Sequence, residues 1–356
     1  MADDRLRPDE AEQYDRQIRL WGLEAQKRLR ASRVLLIGLG GLGAEVCKDI
    51  VLAGIKSLTI IDNEYKSDVN IGNRFLYFTK DTTRAKAVMS RLRVLNPNVV
   101  INTYPDSDTT STDNTDTNIV KAINDEYISK FDLLCATGCS QDELLHLNEI
   151  CHRLKVKFFC GDTWGYYGYF FTDLQEHSYV ITVPKEKEVA MEIDESSNKD
   201  KHQEVSHLEE EEEEMTIKKV MSFSSLQEAL SHDWSKKPSR YFKRIPPTYF
   251  IIQVLQQFRD HKGRNPSIGE DAEEDRQFLY KLCEDVTKQQ NISPDLINKE
   301  FVNYCFSELS PVCAIVGGVL AQEIIKAISA NDIPFNNIFM YDGVNSTGIV
   351  EALIRN

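Results

Sequence analysis

One stretch of the chain, residues 33 to 54, limits the possible fold more than any other. It reads RVLLIGLGGLGAEVCKDIVLAG, an apolar strand followed by a glycine turn and a segment whose apolar residues recur at helical spacing. Glycine lets the backbone approach a phosphate closely, and the first turn of a helix offers unpaired N–H groups to an anion. The stretch therefore predicts a strand, turn and helix of the nucleotide-binding type, with four glycines in the turn: Gly38, Gly40, Gly41 and Gly43.

The pattern that follows this stretch predicts the fold class. A second apolar strand, LTIID, ends at Asp62, about where a dinucleotide-binding fold places its ribose-binding acid. Strand and helix patterns then alternate up to about residue 165. Such alternation predicts an α/β, Rossmann-like fold with a mostly parallel sheet. The glycine turn alone leaves the ligand open, because NAD, FAD, SAM and ATP enzymes share it.

Composition narrows the classes of partner. The chain has 356 residues and a formal net charge of −14, which argues against nucleic acid, since a phosphate backbone demands clustered Lys and Arg. We expect no membrane helix, because no apolar run approaches about 20 residues, and no signal peptide, because the first residues are polar. The eight cysteines include no C-x-x-C pair, so we expect no zinc site of the usual spacing. We interpret them as buried apolar residues of a chain in a reducing compartment.

The N-terminal segment is predicted to form one helix from residue 9 to residue 31. Arg16 and Arg19 lie on the side of this helix opposite its apolar face. That face is formed by three residues at helical spacing: Tyr14, Ile18 and Trp21.

An acidic segment interrupts the α/β pattern. Residues 185 to 219 contain almost no aromatic residues and include a block of six glutamates, Glu209 to Glu214. Such a segment cannot bury enough apolar area to offset chain entropy, so we expect a partly disordered insertion. The expected organisation is an N-terminal helical segment, a first α/β part, the insertion, and helices and strands that complete the α/β domain: 1–32, 33–175, 176–245 and 246–356.

A late stretch, SPVCAIVGGVLAQEIIKAIS, predicts a helix. Ser310 is expected to cap it, and Pro311 to occupy its first turn. Apolar residues lie on nearly every side, so we expect the helix to be buried all round. Gly317 and Gly318 would permit close backbone contact.

Four motifs, in this order and at these intervals, resemble the adenylation fold of the enzymes that activate ubiquitin-like proteins. They are YDRQIRLWG at 14–22, VLLIGLGGLGAE at 34–45, KFFCGDTWGYYGY at 157–169 and SPVCAIVGGVLAQEIIKAI at 310–328. Within that family, the chain's length and modest acidic insertion are similar to those of the small subunits of heterodimeric SUMO-activating enzymes.

The resemblance implies which residues would hold ATP in a working member. The family uses an acid for the ribose, and an Asn, an Arg and a later Lys for the phosphates. Asp62, Asn70 and Lys86 match the acid, the Asn and the Lys. The arginine position falls on Asn73, with Arg74 one place later.

The same resemblance puts the metal site of this chain in doubt. The family's magnesium-binding aspartate falls on Cys139, and its neighbouring Asn on Ser140. A neutral thiol is a poor ligand for magnesium, so we expect no metal on this chain and a nucleotide pocket that does not adenylate. Asp142 is the alternative metal ligand, although helical geometry points it elsewhere. No cysteine has the family's thioester-forming context, and Cys160 lies in an apolar strand where burial keeps a thiol inert.

Arg16 is the remaining candidate functional residue. In the family, the arginine of the Y-x-R-Q motif reaches the ATP held by the other half of a pseudo-symmetric pair, and Arg16 has that position. A guanidinium suits a developing phosphate charge because of its fixed fork of donors. The resemblance thus implies a heterodimer in which a larger catalytic subunit binds ATP and magnesium, SUMO is bound through the complex, and this chain donates Arg16.

Other interpretations stay open at this point. Asp62, Asn70 and Lys86 favour a catalytic adenylating homodimer, whereas Cys139 and Asn73 oppose it. A small subunit for another ubiquitin-like modifier, an NAD-dependent dehydrogenase and a scaffold without a role in the chemistry are further alternatives. We expect the chain in the nucleus and also in the cytoplasm. The basic stretch KKPSRYFKR, at 236–244, is only a weak match to a nuclear localisation signal.

Overall fold

The computed structural model describes residues 6–62, 83–104, 120, 123–184, 214–232 and 246–353. Ten strands lie in these ranges: β1 Arg33–Ile37, β2 Ser57–Ile61, β3 Val100–Tyr104, β4 Leu133–Thr137, β5 Lys157–Trp164, β6 Tyr167–Asp173, β7 Glu176–Pro184, β8 Glu214–Ser222, β9 Ile338–Asp342 and β10 Thr347–Glu351. The α-helices of the same ranges are α1 Pro8–Gln13, α2 Asp15–Trp21, α3 Leu23–Ala31, α4 Gly41–Leu52, α5 Arg84–Leu95, α6 Asp125–Ile128, α7 Gln141–Leu154, α8 Leu226–Leu230, α9 Thr248–Lys262, α10 Ala272–Gln289 and α11 Ser310–Ser329.

Eight strands form one sheet in the order β10-β9-β6-β5-β4-β1-β2-β3. The five strands from β3 to β5 run parallel, and β6, β9 and β10 continue the sheet in antiparallel pairs. The predicted α/β fold with a mostly parallel sheet is therefore confirmed. Because β1 pairs with β2 on one side and β4 on the other, the strand order reverses there. In open α/β sheets, ligands bind outside the carboxyl ends of the strands at such a reversal.

Helices cover both faces of the sheet, as parallel strands require. Alternate residues of β1 show why: Val34 and Leu36 face one apolar cluster with α4 and α11, whereas Leu35 and Ile37 face another with α7, α9 and α10. The two clusters fix the positions of the strand ends and of the loops that follow them.

The single N-terminal helix predicted from residue 9 to residue 31 is wrong in detail. The segment forms three short helices, α1, α2 and α3, that break at Tyr14 and at Gly22. Gly22 has a φ of 85°, a left-handed conformation that glycine adopts without steric cost. Tyr14 is buried, while α2 contains no fully buried residue, so α2 lies on the surface with Arg16 and Arg19 exposed.

Helix α11 also corrects several expectations. It begins at Ser310, and its N-cap is Leu309 rather than Ser310. It is not buried all round, because Ala314 and Ile315 are exposed. A Cβ added at Gly317 would lie 2.6 Å from the Cβ of Glu45 on α4, so this glycine does permit a close approach, whereas at Gly318 such an atom would meet open space.

The expectation that no apolar run approaches the length of a membrane helix was wrong as well. Among the described residues, α11 is long and apolar enough to cross a bilayer. Most of it is buried inside the protein, where it packs on α4, α3 and the sheet, and this packing accounts for its apolar composition.

Part of the predicted insertion, 176–245, has regular structure. Strands β7 and β8 pair in register from Glu176 with Ser222 to Pro184 with Glu214, forming a two-stranded antiparallel ribbon, and α8 follows. The segment between the strands, with the glutamates 209–213, and the basic stretch 236–244 lie outside the described residues.

Candidate functional site

The glycine turn lies at the reversal of strand order, between the carboxyl ends of β1 and β4. Gly38 has a φ of 84°, and a Cβ added there would lie 2.0 Å from the backbone oxygen of Thr137 at the end of β4. The Thr137 hydroxyl donates a hydrogen bond to the Gly38 oxygen at 2.9 Å. At Gly43, an added Cβ would lie 2.2 Å from the same Gly38 oxygen. These two glycines are therefore required by the close packing of the turn itself.

Asp62, the predicted ribose-binding acid, follows β2 directly and is engaged within the chain. Its Oδ2 accepts a hydrogen bond from the backbone N–H of Leu39, at 2.6 Å. The guanidinium of Arg84, on α5, donates from Nε to Oδ1 at 3.1 Å and from Nη2 to Oδ2 at 2.7 Å. Only 2% of the Asp62 side chain is exposed. A two-point contact of this kind is the strong geometry for an arginine and a carboxylate.

The start of α4 faces a carboxylate of this chain. The backbone N–H of Gly41 donates to Oε2 of Glu308 at 2.9 Å. Gly40 is the N-cap of α4, and a Cβ added there would lie 2.6 Å from Oε1 of Glu308. The carboxylate thus occupies the place next to the turn where the nucleotide-binding pattern puts a phosphate.

Cys139, at the family's metal position, lies just beyond β4 and is buried. Burial raises the pKa of its thiol, and the thiol donates a weak hydrogen bond to the Thr137 oxygen at 3.6 Å. Ser140 caps α7, because its hydroxyl accepts from the N–H of Glu143 and the Glu143 carboxylate accepts from the N–H of Ser140. Neither residue offers magnesium the anionic oxygen it prefers. Asp142 is exposed on α7.

A buried cation lies beside Cys139. Arg259, on α9, donates from Nη1 to the Cys139 backbone oxygen at 3.4 Å and forms a buried salt bridge with Asp162 on β5. Its guanidinium also lies 5.2 Å from the ring centroid of Trp164. The positive charge of Arg259 and the neutral Cys139 thiol make this position unsuited to a divalent cation. Across the described residues, no group of three or more potential metal ligands occurs.

The other residues predicted for the pocket are less constrained. Lys86 is exposed at the third position of α5, where its backbone N–H meets the hydroxyl of the capping Thr83. Asn70, Asn73 and Arg74 lie outside the described residues.

Arg16, on α2, contrasts with the charges of the pocket. It is exposed and makes no hydrogen bond or ion pair with any residue that the structure describes, whereas Arg19 pairs with Asp15 through Nε and Oδ2 at 2.9 Å. The helix is held in place by Tyr14, whose hydroxyl accepts a hydrogen bond from Asn96 Nδ2 at 2.8 Å. The Y-x-R motif therefore combines one anchoring residue with one arginine directed outward.

All eight cysteines are buried, as expected. Burial raises the pKa of the Cys160 thiol well above its ordinary value, and raises the pKa of Cys135 and of Cys305 to about 12. A protonated thiol is a poor nucleophile, so burial disfavours thioester formation at these three cysteines.

Sequence reasoning missed three residues of this site: Arg84, Glu308 and Arg259. Arg84 could have been suspected, because it stands two residues before Lys86 in the motif TRAKA. Glu308 and Arg259 gave no local signal, since each reaches the site from a distant part of the chain.

Comparison with known proteins agrees with the fold and the motifs. The model of the ThiF family matches residues 14–355. Proteins named SUMO-activating enzyme subunit 1 are similar over almost their whole length: that of Rattus norvegicus is 44% identical over 97% of this chain and 95% of its own. The Mus musculus protein is 45% identical over 96% and 94%, and the Homo sapiens protein 44% identical over 97% and 95%. This chain belongs to the ThiF family.

Proposed function

We propose that this chain is the small subunit of a heterodimeric enzyme that activates the ubiquitin-like modifier SUMO. The names of its relatives, their identity of about 44% and their nearly complete coverage support this assignment. In the complex, a larger partner subunit binds ATP and magnesium, adenylates the SUMO C-terminus and receives it as a thioester. We place the chain in the nucleus and also in the cytoplasm.

The chain's own pocket does not fit a nucleotide and its metal. Three groups that ATP and magnesium would use are engaged or replaced: the Asp62 carboxylate is paired with Arg84, the Gly41 amide with Glu308, and the metal position is the buried thiol of Cys139. Binding a nucleotide would require breaking a charge-assisted contact and leaving Arg84 without its carboxylate, at a cost of about 1.5–3 kcal/mol. The pocket therefore preserves the fold, and its chemistry has moved to the partner.

Arg16 is the residue that this chain contributes to the reaction, and its exposure without a bonding partner in the described chain is the observation that carries the proposal. An arginine in trans can donate a bidentate contact to ATP phosphates as negative charge shifts during adenylation. Leu20, one helical turn farther along α2, is 74% exposed. A large exposed apolar side chain, beside an arginine that has no partner within the part of the chain that the structure describes, is suited to a subunit interface.

The test is the adenylation rate of the complex. Arg16→Ala is co-expressed with the larger subunit, complex formation is checked by gel filtration, and SUMO adenylation is timed at saturating and at limiting ATP. Losing a hydrogen bond to a charged group costs about 1.5–3 kcal/mol, so the rate should fall roughly ten- to hundred-fold while assembly survives.

Arg19→Ala is the matched control, because Arg19 shares the charge and the helix but is paired with Asp15. Parental rates for both variants would make the chain a scaffold, and a defect confined to Arg19→Ala would assign the role to the other arginine. ATP–pyrophosphate exchange that depends on the modifier, measured for the isolated monomeric chain, would instead support a catalytic adenylating subunit.

A further inference from the structure

We infer that the Glu308 carboxylate is a built-in competitor that keeps phosphates out of the glycine turn. Family membership implies a nucleotide at this turn, yet the described residues place an anion of the chain itself there. The Gly41 N–H donates to Oε2 of Glu308 at 2.9 Å, and the residue that supplies the carboxylate lies 267 positions later in the chain.

Gly40 makes room for this carboxylate. A Cβ at position 40 would lie only 2.6 Å from Oε1 of Glu308, so the space that an uncapped glycine turn offers to a phosphate oxygen is filled by a carboxylate oxygen. The N-cap residue itself provides no side-chain hydrogen bond to α4. Glu308 therefore supplies the negative charge that favours the N-terminal end of a helix.

The backbone around Glu308 is held by contacts with a neighbouring turn, which position its side chain. Glu308 forms an isolated parallel bridge with Gly165 in the turn between β5 and β6, and the Gly165 N–H donates to the Ser307 oxygen at 2.6 Å. A Cβ at Gly165 would lie 2.0 Å from the Tyr304 oxygen, so the turn and the segment before α11 touch directly. Because these contacts hold the backbone at Glu308, the carboxylate reaches the turn at the cost of side-chain rotamer entropy alone.

A simpler role, that of a helix cap only, makes a different prediction. A cap contributes to stability, and its removal would leave α4 weaker without creating affinity for anything. A competitor contributes the same contact, but its removal exposes a turn that anions can enter. Anion binding, rather than stability, therefore separates the two roles.

The experiment titrates inorganic pyrophosphate, without metal, into the full chain and two variants by calorimetry. Glu308→Gln removes the charge and keeps an oxygen that can accept from Gly41, whereas Glu308→Ala removes both. We expect no measurable binding to the native chain, weak binding to Glu308→Gln and binding on the order of tenfold tighter to Glu308→Ala than to Glu308→Gln. Glu270→Gln, at an exposed glutamate far along the chain from the turn, is the matched control and should behave as the native chain.

A second measurement covers the case in which Glu308→Ala is too unstable for calorimetry. Its melting temperature is followed with increasing pyrophosphate, and we expect a larger rise than for the native chain, because a ligand of the native state stabilises by mass action. Equal rises for the native chain and both Glu308 variants would overturn the inference, and so would absent binding to all of them.

The inference rests on the part of the proposed function that denies this chain a working nucleotide site, and the outcomes separate the two. Pyrophosphate binding to the native chain at the turn would contradict both. Absent binding to the native chain, together with absent binding to both variants, would leave the proposed function standing and refute only the role of Glu308.

Discussion

The carboxyl edge of the sheet and helix α2 differ in whether their charged side chains are bonded within the described part of the chain. At the edge, Asp62 is paired with Arg84, and Glu308 with the start of α4. On α2, Arg16 is exposed and has no partner among the described residues. Both regions carry motifs of the same enzyme family, but Asp62 and Glu308 are engaged within the chain, whereas Arg16 has no partner among the described residues.

A family motif can therefore be required by packing within the fold or be directed toward another molecule. The glycines at 38 and 43 are required by backbone contacts shorter than any side chain allows, so the turn persists as packing. Arg16 satisfies no such requirement, and nothing in the described fold accounts for a long cationic side chain there. Substitutions at the edge should therefore change stability, and substitution of Arg16 should change activity.

We expect Arg259→Leu, at the edge of the sheet, to lower the free energy of unfolding most. This change leaves the Asp162 carboxylate buried without its cation, which costs about 3–5 kcal/mol when one partner of a buried pair is removed. Urea unfolding of the full chain measures it, with Arg19→Ala as the control, because an exposed pair contributes about 0–1 kcal/mol. Similar losses for the two variants would show that burial does not distinguish the two regions.

Arg84→Ala should lower stability without lowering activity, which is the opposite of the effect expected for Arg16→Ala. Removing Arg84 takes two charge-assisted hydrogen bonds from Asp62, and the free energy of unfolding should fall by about 1.5–3 kcal/mol. Adenylation by the complex should remain at the parental rate, whereas Arg16→Ala should keep parental stability and lose activity. Unfolding curves and adenylation rates of both variants check this, and an adenylation defect in Arg84→Ala would mean that the pocket still takes part.

The pH dependence of stability that His177 causes tests whether the protein interior disfavours a charge without a partner. Burial, and then Lys157, lower the pKa of this buried histidine to about 4. Its unfolded pKa is about 6.5, so between pH 6.5 and pH 4 the unfolded state binds more protons and stability falls as pH falls. From pH 7 to pH 5 the native chain should lose about 2 kcal/mol more than His177→Phe, by urea unfolding at each pH. Equal losses of stability in the native chain and in His177→Phe would show that a group other than His177 causes the pH dependence.

The sequence was sufficient for the elements whose signal is local. Buried runs such as RVLLI and LLCAT read as strands because both faces of a parallel sheet are covered, and the glycine turn and Asp62 were found at their actual places after β1 and β2. Two breaks of the N-terminal helix were missed: the one at Tyr14 coincides with tertiary contacts of this residue with Asn96 and Gly54, whereas the one at Gly22 had a local signal in the glycine itself.

Which side chains of the site are paired with each other could not be predicted from the sequence either, because these pairs are also tertiary contacts. Asp62 was identified as an acid in the right position, but whether its carboxylate is available depends on the direction of Arg84, 22 residues later. The contact between Glu308 and the turn joins residues 267 positions apart, which no periodicity records. Sequence patterns place residues on elements, whereas the partners of a charge are decided by how the elements pack.

The smallest effect is expected from replacing residues 185–213, which lie far from both compared regions along the chain. Pro184 and Glu214 are paired at the end of the ribbon, so a Gly/Ser linker of about eight residues can join them, and the shorter loop should stabilise the fold by about 1 kcal/mol or less. Adenylation and thioester transfer by the complex should stay at the parental rate, because neither Arg16 nor the sheet edge is altered. A longer deletion that also removes residues 179–219 is the control: it takes away buried Tyr179 and most of the ribbon pairing, and should lower the melting temperature clearly. A loss of activity with the short deletion alone would show that the acidic segment docks on the partner or on the modifier, and that this chain offers its complex a second charged surface besides Arg16.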